Sequence, residues 1–289
     1  MSTRRFTPGR LFGAGLGVWA LAVAITVITK DQILVPTVIL VGSFIVPVTI
    51  VAYALGRVPD SARPPADVLV LAFFGAGTLG VLSTALTETY LLPSVYGTFV
   101  GIGLIEEVGK GLVLVAALRA LPPGGGARVG IVLGVTVGAG FAAFESSGYA
   151  FSALAQHADD HPAVNVVETE LFRAVLAPFG HITWTALLGG ALMARRQVVP
   201  TLAGIVCLHA LWDASYGWAI TFTNGLTGEG WRFAWPNTAA WVGQPRGSTL
   251  LVFQVVYDGL LLVIGVTGAL WLRHRWRSAP VVAEQPVAV

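Results

Sequence analysis

The sequence predicts an all-α, polytopic membrane protein, a bundle of about eight transmembrane helices, and three observations predict it. Hydrophobic residues make up 55% of the 289 residues and charged residues 11%, with a mean hydropathy of +0.76. A soluble domain needs roughly 25% charged residues to cover its surface. Apolar stretches of spanning length, ~18–20 residues, fall at 11–29, 33–56, 67–90, 95–121, 128–155, 168–194, 198–223 and 249–273. Short connections such as KDQI, GRVPDSARPP and LPPGGGAR separate them, punctuated by proline and glycine.

The run at 11–29 follows the basic start MSTRRFTPGR. It is long, and no small-residue cleavage site follows, so it reads as an uncleaved first helix rather than a signal peptide. The second run contains Pro36 and Pro47, which a helix tolerates in lipid where neighbours satisfy the freed carbonyls. Tyr90, Tyr96, Trp218, Trp231, Trp271 and Trp276 are placed to act as interface anchors. In the fifth run, Gly130, Gly134 and Gly138 form a small-residue stripe suited to close helix packing. Cys207, the one cysteine, reads as a small buried hydrophobe, and it excludes both a disulfide framework and a cysteine-rich metal site. There is no internal repeat. Residues 1–289 read as a single integral membrane domain ending in a disordered tail at about 278–289, and nothing suggests a nucleic-acid partner.

Eight spans put both termini on one side of the membrane. That side collects twelve arginines, from Arg4 to Arg277, whereas the other collects Lys30, Arg173, Arg232 and Arg246. The positive-inside rule then predicts a cell-membrane protein with cytoplasmic N- and C-termini. Lys110 belongs to neither side, since it lies within a span.

Five spans carry ionisable residues far from their ends: Glu106, Glu107 and Lys110; Glu145; His181; His209 and Asp213; and Asp258. An Asp or Lys at a helix centre costs roughly 2.5–3.5 kcal/mol on insertion scales, so these groups must meet partners or water. The alternating helix directions bring those on four consecutive spans to a common depth, about 15–21 Å from the outer end at 1.5 Å per residue. Lys110 stands four residues from Glu106 and three from Glu107, within reach of both. His209 and Asp213 stack at i, i+4, where Asp213 can orient the imidazole or join it on a metal ion. In the outer loop QHADDHPAVNV, His157, Asp159, Asp160 and His161 read as solvated loop residues instead.

In order along successive helices, EEVGK, FAAFE, HITW and HALWD resemble the motifs of the PrsW family of intramembrane proteases. That family is related to the CAAX-processing and bacteriocin-processing proteases, with motifs E-E-x-x-x-R, F-x-x-x-H and H-x-x-x-[ND]. The resemblance covers roughly residues 95–223. It implies a peptidase that cuts a membrane-anchored protein, such as an anti-sigma factor, in or near the bilayer, with membrane lipid as its other partner. It also implies that Glu106 or Glu107 activates the hydrolytic water. Lys110 stands where the related proteases have arginine, and Glu145 where they have histidine. His181 matches the lone histidine, and His209 with Asp213 the final pair.

Peptide hydrolysis needs a base for water, stabilisation of the oxyanion and an acid for the leaving amine. Glu106, Glu107, His181 and His209 are the candidate catalytic groups, supported by Lys110, Glu145 and Asp213. Two versions stay open. The histidines polarise the carbonyl directly, or His181 and His209 hold zinc or another divalent ion with Glu145 or Asp213. No H-E-x-x-H helix, G-x-G-D or G-x-S-G motif is present; Ser146 and Ser147 beside Glu145 leave a serine enzyme as a minor alternative. Midspan acids, histidines and a lysine also suit a proton- or ion-coupled transporter, and a non-enzymatic binding or immunity protein is the third class.

Overall fold

The computed structural model describes residues 7–91, 98–121, 125–156, 162–228 and 247–280, and its regular structure there is entirely helical. The helices are α1 (Pro8–Thr29), α2 (Val35–Leu55), α3 (Ala66–Gly75), α4 (Val81–Leu91), α5 (Thr98–Arg119), α6 (Gly126–Gln156), α7 (Pro162–Leu176), α8 (Thr183–Ala194), α9 (Val198–Thr227) and α10 (Gly247–Ser278). Single π-helical turns, Ala76–Gly80 and Pro178–Ile182, join α3 to α4 and α7 to α8. Among the described residues, seven continuous helices are long and apolar enough to cross a membrane. The eighth predicted span corresponds to α5, whose 22 residues reach the same length. Glu106, Glu107 and Lys110 in its middle lower its apolarity. The outward surface is apolar, with Leu21, Leu71, Leu112 and Leu262 each more than 60% exposed, as a surface solvated by lipid requires. This is a multi-pass membrane protein.

Helix α6 is the hub, packing against α2, α3, α5, α7 and α8. Its glycine stripe explains the closest of these contacts. A Cβ on Gly130 would overlap the carbonyl of Gly189, one on Gly134 that of Thr185, and one on Gly138 that of His181. Backbone thus meets backbone along α6 and α8, which places the turn bearing His181 against the helix bearing Glu145.

The π turn at Pro178–Ile182 breaks the run predicted at 168–194. Pro178 lacks the N–H that a regular helix would use, and Gly180 adopts φ −94°, ψ −116°, outside helical geometry. The Thr183 hydroxyl donates to the Pro178 carbonyl at 2.5 Å, satisfying one acceptor that the kink leaves over.

A buried carboxylate ties the first two helices to α7. Glu170, 4% exposed, accepts from the Trp19 indole N–H and the Ser43 hydroxyl, each at 2.9 Å. Gly42 makes room for it, since a Cβ there would overlap the Glu170 carboxylate.

Several expectations change. Cys207 is exposed on α9 instead of buried, because a helix apolar all round gives no sequence sign of which face turns inward. Trp271 packs over Gly204, and Trp276 lies under the Arg128 guanidinium at 5.1 Å, so both carry packing roles. Tyr90 and Trp218 are exposed. Tyr96, Trp231, residues 157–161 of the outer loop and the tail from 281 lie outside the described residues.

Candidate active site

Helix α5 contributes the densest charge. Lys110, i+4 from Glu106 and i+3 from Glu107, reaches both carboxylates, at 3.1 Å and 2.6 Å. Its ammonium also lies 2.8 Å from Nδ1 of His181 and 4.2 Å from the centroid of the Phe141 ring. Lys110 and Glu107 are fully buried, their side chains 0% exposed. All three ammonium protons therefore have acceptors, without which so buried a cation would be untenable.

His181 is held on both sides. Its Nε2 lies 2.9 Å from Oε2 of Glu145, while Nδ1 faces the Lys110 ammonium. An ammonium only donates, so Nδ1 accepts and the ring proton sits on Nε2, donated to Glu145. Glu145 is itself paired with Arg173, whose Nη2 approaches Oε2 at 2.5 Å. The Nε of Arg173 donates to the Ser146 hydroxyl at 2.8 Å, and its guanidinium lies 4.2 Å from the Tyr149 ring centroid.

His209 is oriented differently. Its Nδ1 lies 2.8 Å from Oε1 of Glu107, so the anchor is Glu107 on α5. Asp213, one turn away on α9, stands 3.6 Å from Nε2, beyond hydrogen-bond length. With Nδ1–H donated to Glu107, the Nε2 lone pair points toward Glu106 Oε2, 3.7 Å away, and toward Asp213. The two imidazole centroids are 5.2 Å apart, and Trp184 packs 4.9 Å from His209.

All seven residues singled out from the motifs thus converge. Asp258 does not; it faces outward from α10. Arg173, counted from the sequence as an outer-loop cation, is instead a member of the cluster. The helix that carries it begins at Pro162, earlier than the apolar run. Arg173 is the sixth residue of the run read at 168–194, near enough to the outer end to be counted with that side, although an Arg three residues after a Glu on a helix ahead of a proline kink is a usable signal. Neither serine meets a histidine: Ser146 accepts from Arg173, and Ser147 donates to the Ala143 carbonyl.

The donor set fits a divalent cation. One ligand atom each from Glu106, Glu107, His181 and His209 lie within 4.8 Å of one another. This quartet shares both histidines with the expected metal set and has the glutamate pair in place of Glu145 and Asp213. Oε2 of Glu107 and Oδ2 of Asp213 are buried with no hydrogen-bond partner, a deficit that an ion or water would relieve. Fully ionised, the cluster's four carboxylates also outnumber its two cations, Lys110 and Arg173. Imidazole and carboxylate are the ligands zinc takes in hydrolytic sites.

A bundle of membrane-spanning helices that encloses acids, histidines and a lysine defines a membrane protein with an intramembrane functional site. The model of the PrsW family intramembrane metalloproteases matches residues 64–239, and the chain belongs to that family. No curated protein and no solved structure matches it. The protein is an intramembrane protease.

Proposed function

We propose that this chain hydrolyses a peptide bond of a membrane-anchored protein, for example an anti-sigma factor, with Glu106 as the base that activates water. The observation that carries the reading is the division between the two glutamates. Glu107 is fully enclosed and bound to Lys110 and His209. Glu106 keeps 8% side-chain exposure and stands between the two imidazoles, 3.7 Å from His209 and 3.8 Å from His181. A base must reach water, and of the two neighbouring glutamates Glu106 is the less enclosed.

In this reading Glu107 holds His209 in the tautomer with Nε2 free, and Glu106, having taken the water's proton, passes it to the leaving amine. The Lys110 ammonium, paired with Glu106, favours negative charge that develops at the site. Arg173 fixes Glu145, which in turn fixes His181. A divalent ion such as zinc, when held by Nε2 of His209 and by Glu107 beside Asp213, whose Oε2 and Oδ2 lack partners, would supply Lewis acidity to the water and the carbonyl. Purified protein in detergent, offered a library of single-span substrates, is expected to cut at least one of them in or beside its span. Cleavage is expected to stop with a chelator and to return with zinc. Cleavage that persists under chelation would remove the metal from the reaction, and silence toward every substrate would overturn the assignment.

We further read residues 1–289 as one integral membrane domain with both termini cytoplasmic. Twelve basic residues lie on the inner side, against three outside once Arg173 is assigned to the site. A reporter active only in the cytoplasm should give signal when fused after Arg128 and none when fused near His161. The reverse pattern would invert the topology.

A further inference from the structure

Asp258 lies nine residues into the apolar run that starts at 249, about 14 Å along α10, and it is exposed. The Gln254 amide, one turn earlier on the same helix, donates to its carboxylate at 2.8 Å. Around them the same face shows Leu251, Val255 and Leu262, each 64–66% exposed. A carboxylate on a lipid-facing surface is costly, and acids within spans ordinarily face a partner or a water-filled cavity. The other acids placed near midspan, Glu106, Glu107, Glu145 and Asp213, all turn inward toward other helices.

The position borders the catalytic cluster. Tyr257, the preceding residue, stacks on Phe172 with ring centroids 6.3 Å apart and meets Tyr216 edge-on at 5.6 Å. Phe172 adjoins Arg173, the partner of Glu145. Gly259, beside Asp258 on the other side, is exposed, with nothing within 4 Å of where a Cβ would stand, so a second helix can approach closely there.

We propose that this face of α10 docks a transmembrane helix of the substrate that carries a lysine or arginine at the depth of Asp258. The identification of the occupant as substrate rests on the protease reading above. Charge complementarity selects it: a buried cation on the incoming helix and Asp258 neutralise each other, while Gln254 donates to Oδ1 of the carboxylate. A second copy of this chain is the poorer occupant, because a two-fold interface through this face would set Asp258 against Asp258.

The test uses the full chain carrying Glu106→Gln, so that binding is read without cleavage, in phosphatidylcholine vesicles. The probes are labelled leucine-rich single-span peptides with a central lysine, leucine or aspartate, and association is followed by energy transfer. The lysine peptide should bind roughly tenfold more tightly than the leucine peptide, the worth of about one favourable pair. Asp258→Leu, which makes α10 more apolar and should fold at least as well, should erase that preference. Asp258→Asn should reduce it, and Asp258→Lys should transfer it to the aspartate peptide. Equal binding of all peptides, a preference unchanged in Asp258→Leu, or Asp258-dependent association between copies of the chain would each overturn the proposal. The unsubstituted protein separates this proposal from the protease reading. Charge-dependent docking of the lysine peptide, and of substrates built on it, without any cleavage would leave the docking face standing and remove the protease reading.

Discussion

Glu106→Gln should lose roughly 10²- to 10⁴-fold in turnover, the usual weight of a general base, while its folding and membrane level stay near normal. The amide keeps the volume of the carboxylate and most of its hydrogen bonding. What it cannot do is take a proton from water. Glu107→Gln should differ in kind, since Glu107 accepts from both Lys110 and His209. Both contacts fall on Oε1, so the amide oxygen can keep them, but the charge that balances the buried Lys110 is gone and an NH₂ replaces the unpartnered Oε2. Reduced turnover should then come with a lowered melting temperature. The measurement is cleavage in vesicles, normalised to protein recovered in a monodisperse peak. Normal cleavage by Glu106→Gln would transfer the base to another group, and normal cleavage by both variants would make the pair structural glue.

Lys110→Met should damage assembly more than either glutamine variant. The substitution takes the cation from Glu106 and Glu107 and the donor from Nδ1 of His181, leaving buried carboxylates uncompensated. Removing one partner of a buried ion pair typically destabilises by about 3–5 kcal/mol. A drop in detergent melting temperature and in recovered monodisperse protein would report it. Methionine fills the space of the lysine stem, so the loss would be electrostatic rather than a cavity effect. If Lys110→Met melts with the unsubstituted protein, the lysine does not hold the cluster together, and the arrangement around α5 has another cause.

Much of this is legible in the sequence because a membrane helix announces itself by length and apolarity alone. The spans, the polar layer across α5, α6, the turn before α8 and α9, and the glycine stripe of α6 all follow from patterns within one span. Partners on different helices are not legible in the same way. His209 and Asp213 are four residues apart, so the sequence suggests that pair, whereas the closer partner, Glu107, stands 102 positions away. Arg173 escapes a sequence reading for a related reason. Arg173 is the sixth residue of the run read at 168–194, so a charge inside the bundle is counted with its outer end, and its partner Glu145 stands 28 positions away. Which face of an evenly apolar helix meets lipid is also hidden, as Cys207 and Trp271 show in opposite directions.

The Glu170 contact has a consequence for where this protein can be cut or recombined. Its donors, Trp19 and Ser43, sit on α1 and α2, ahead of the segment that matches the family, which begins at residue 64. Glu170 lies inside that segment, three residues before Arg173. A version trimmed to the shared region would leave an acid facing hydrocarbon with both of its donors gone, one turn from the residue that holds Glu145. Nor could α1 and α2 be exchanged freely for another pair of apolar helices, since the replacement would need an indole, a hydroxyl and a glycine at matching depths. The shared region is therefore a unit of ancestry without being a unit of construction, and the two leading helices belong to its architecture.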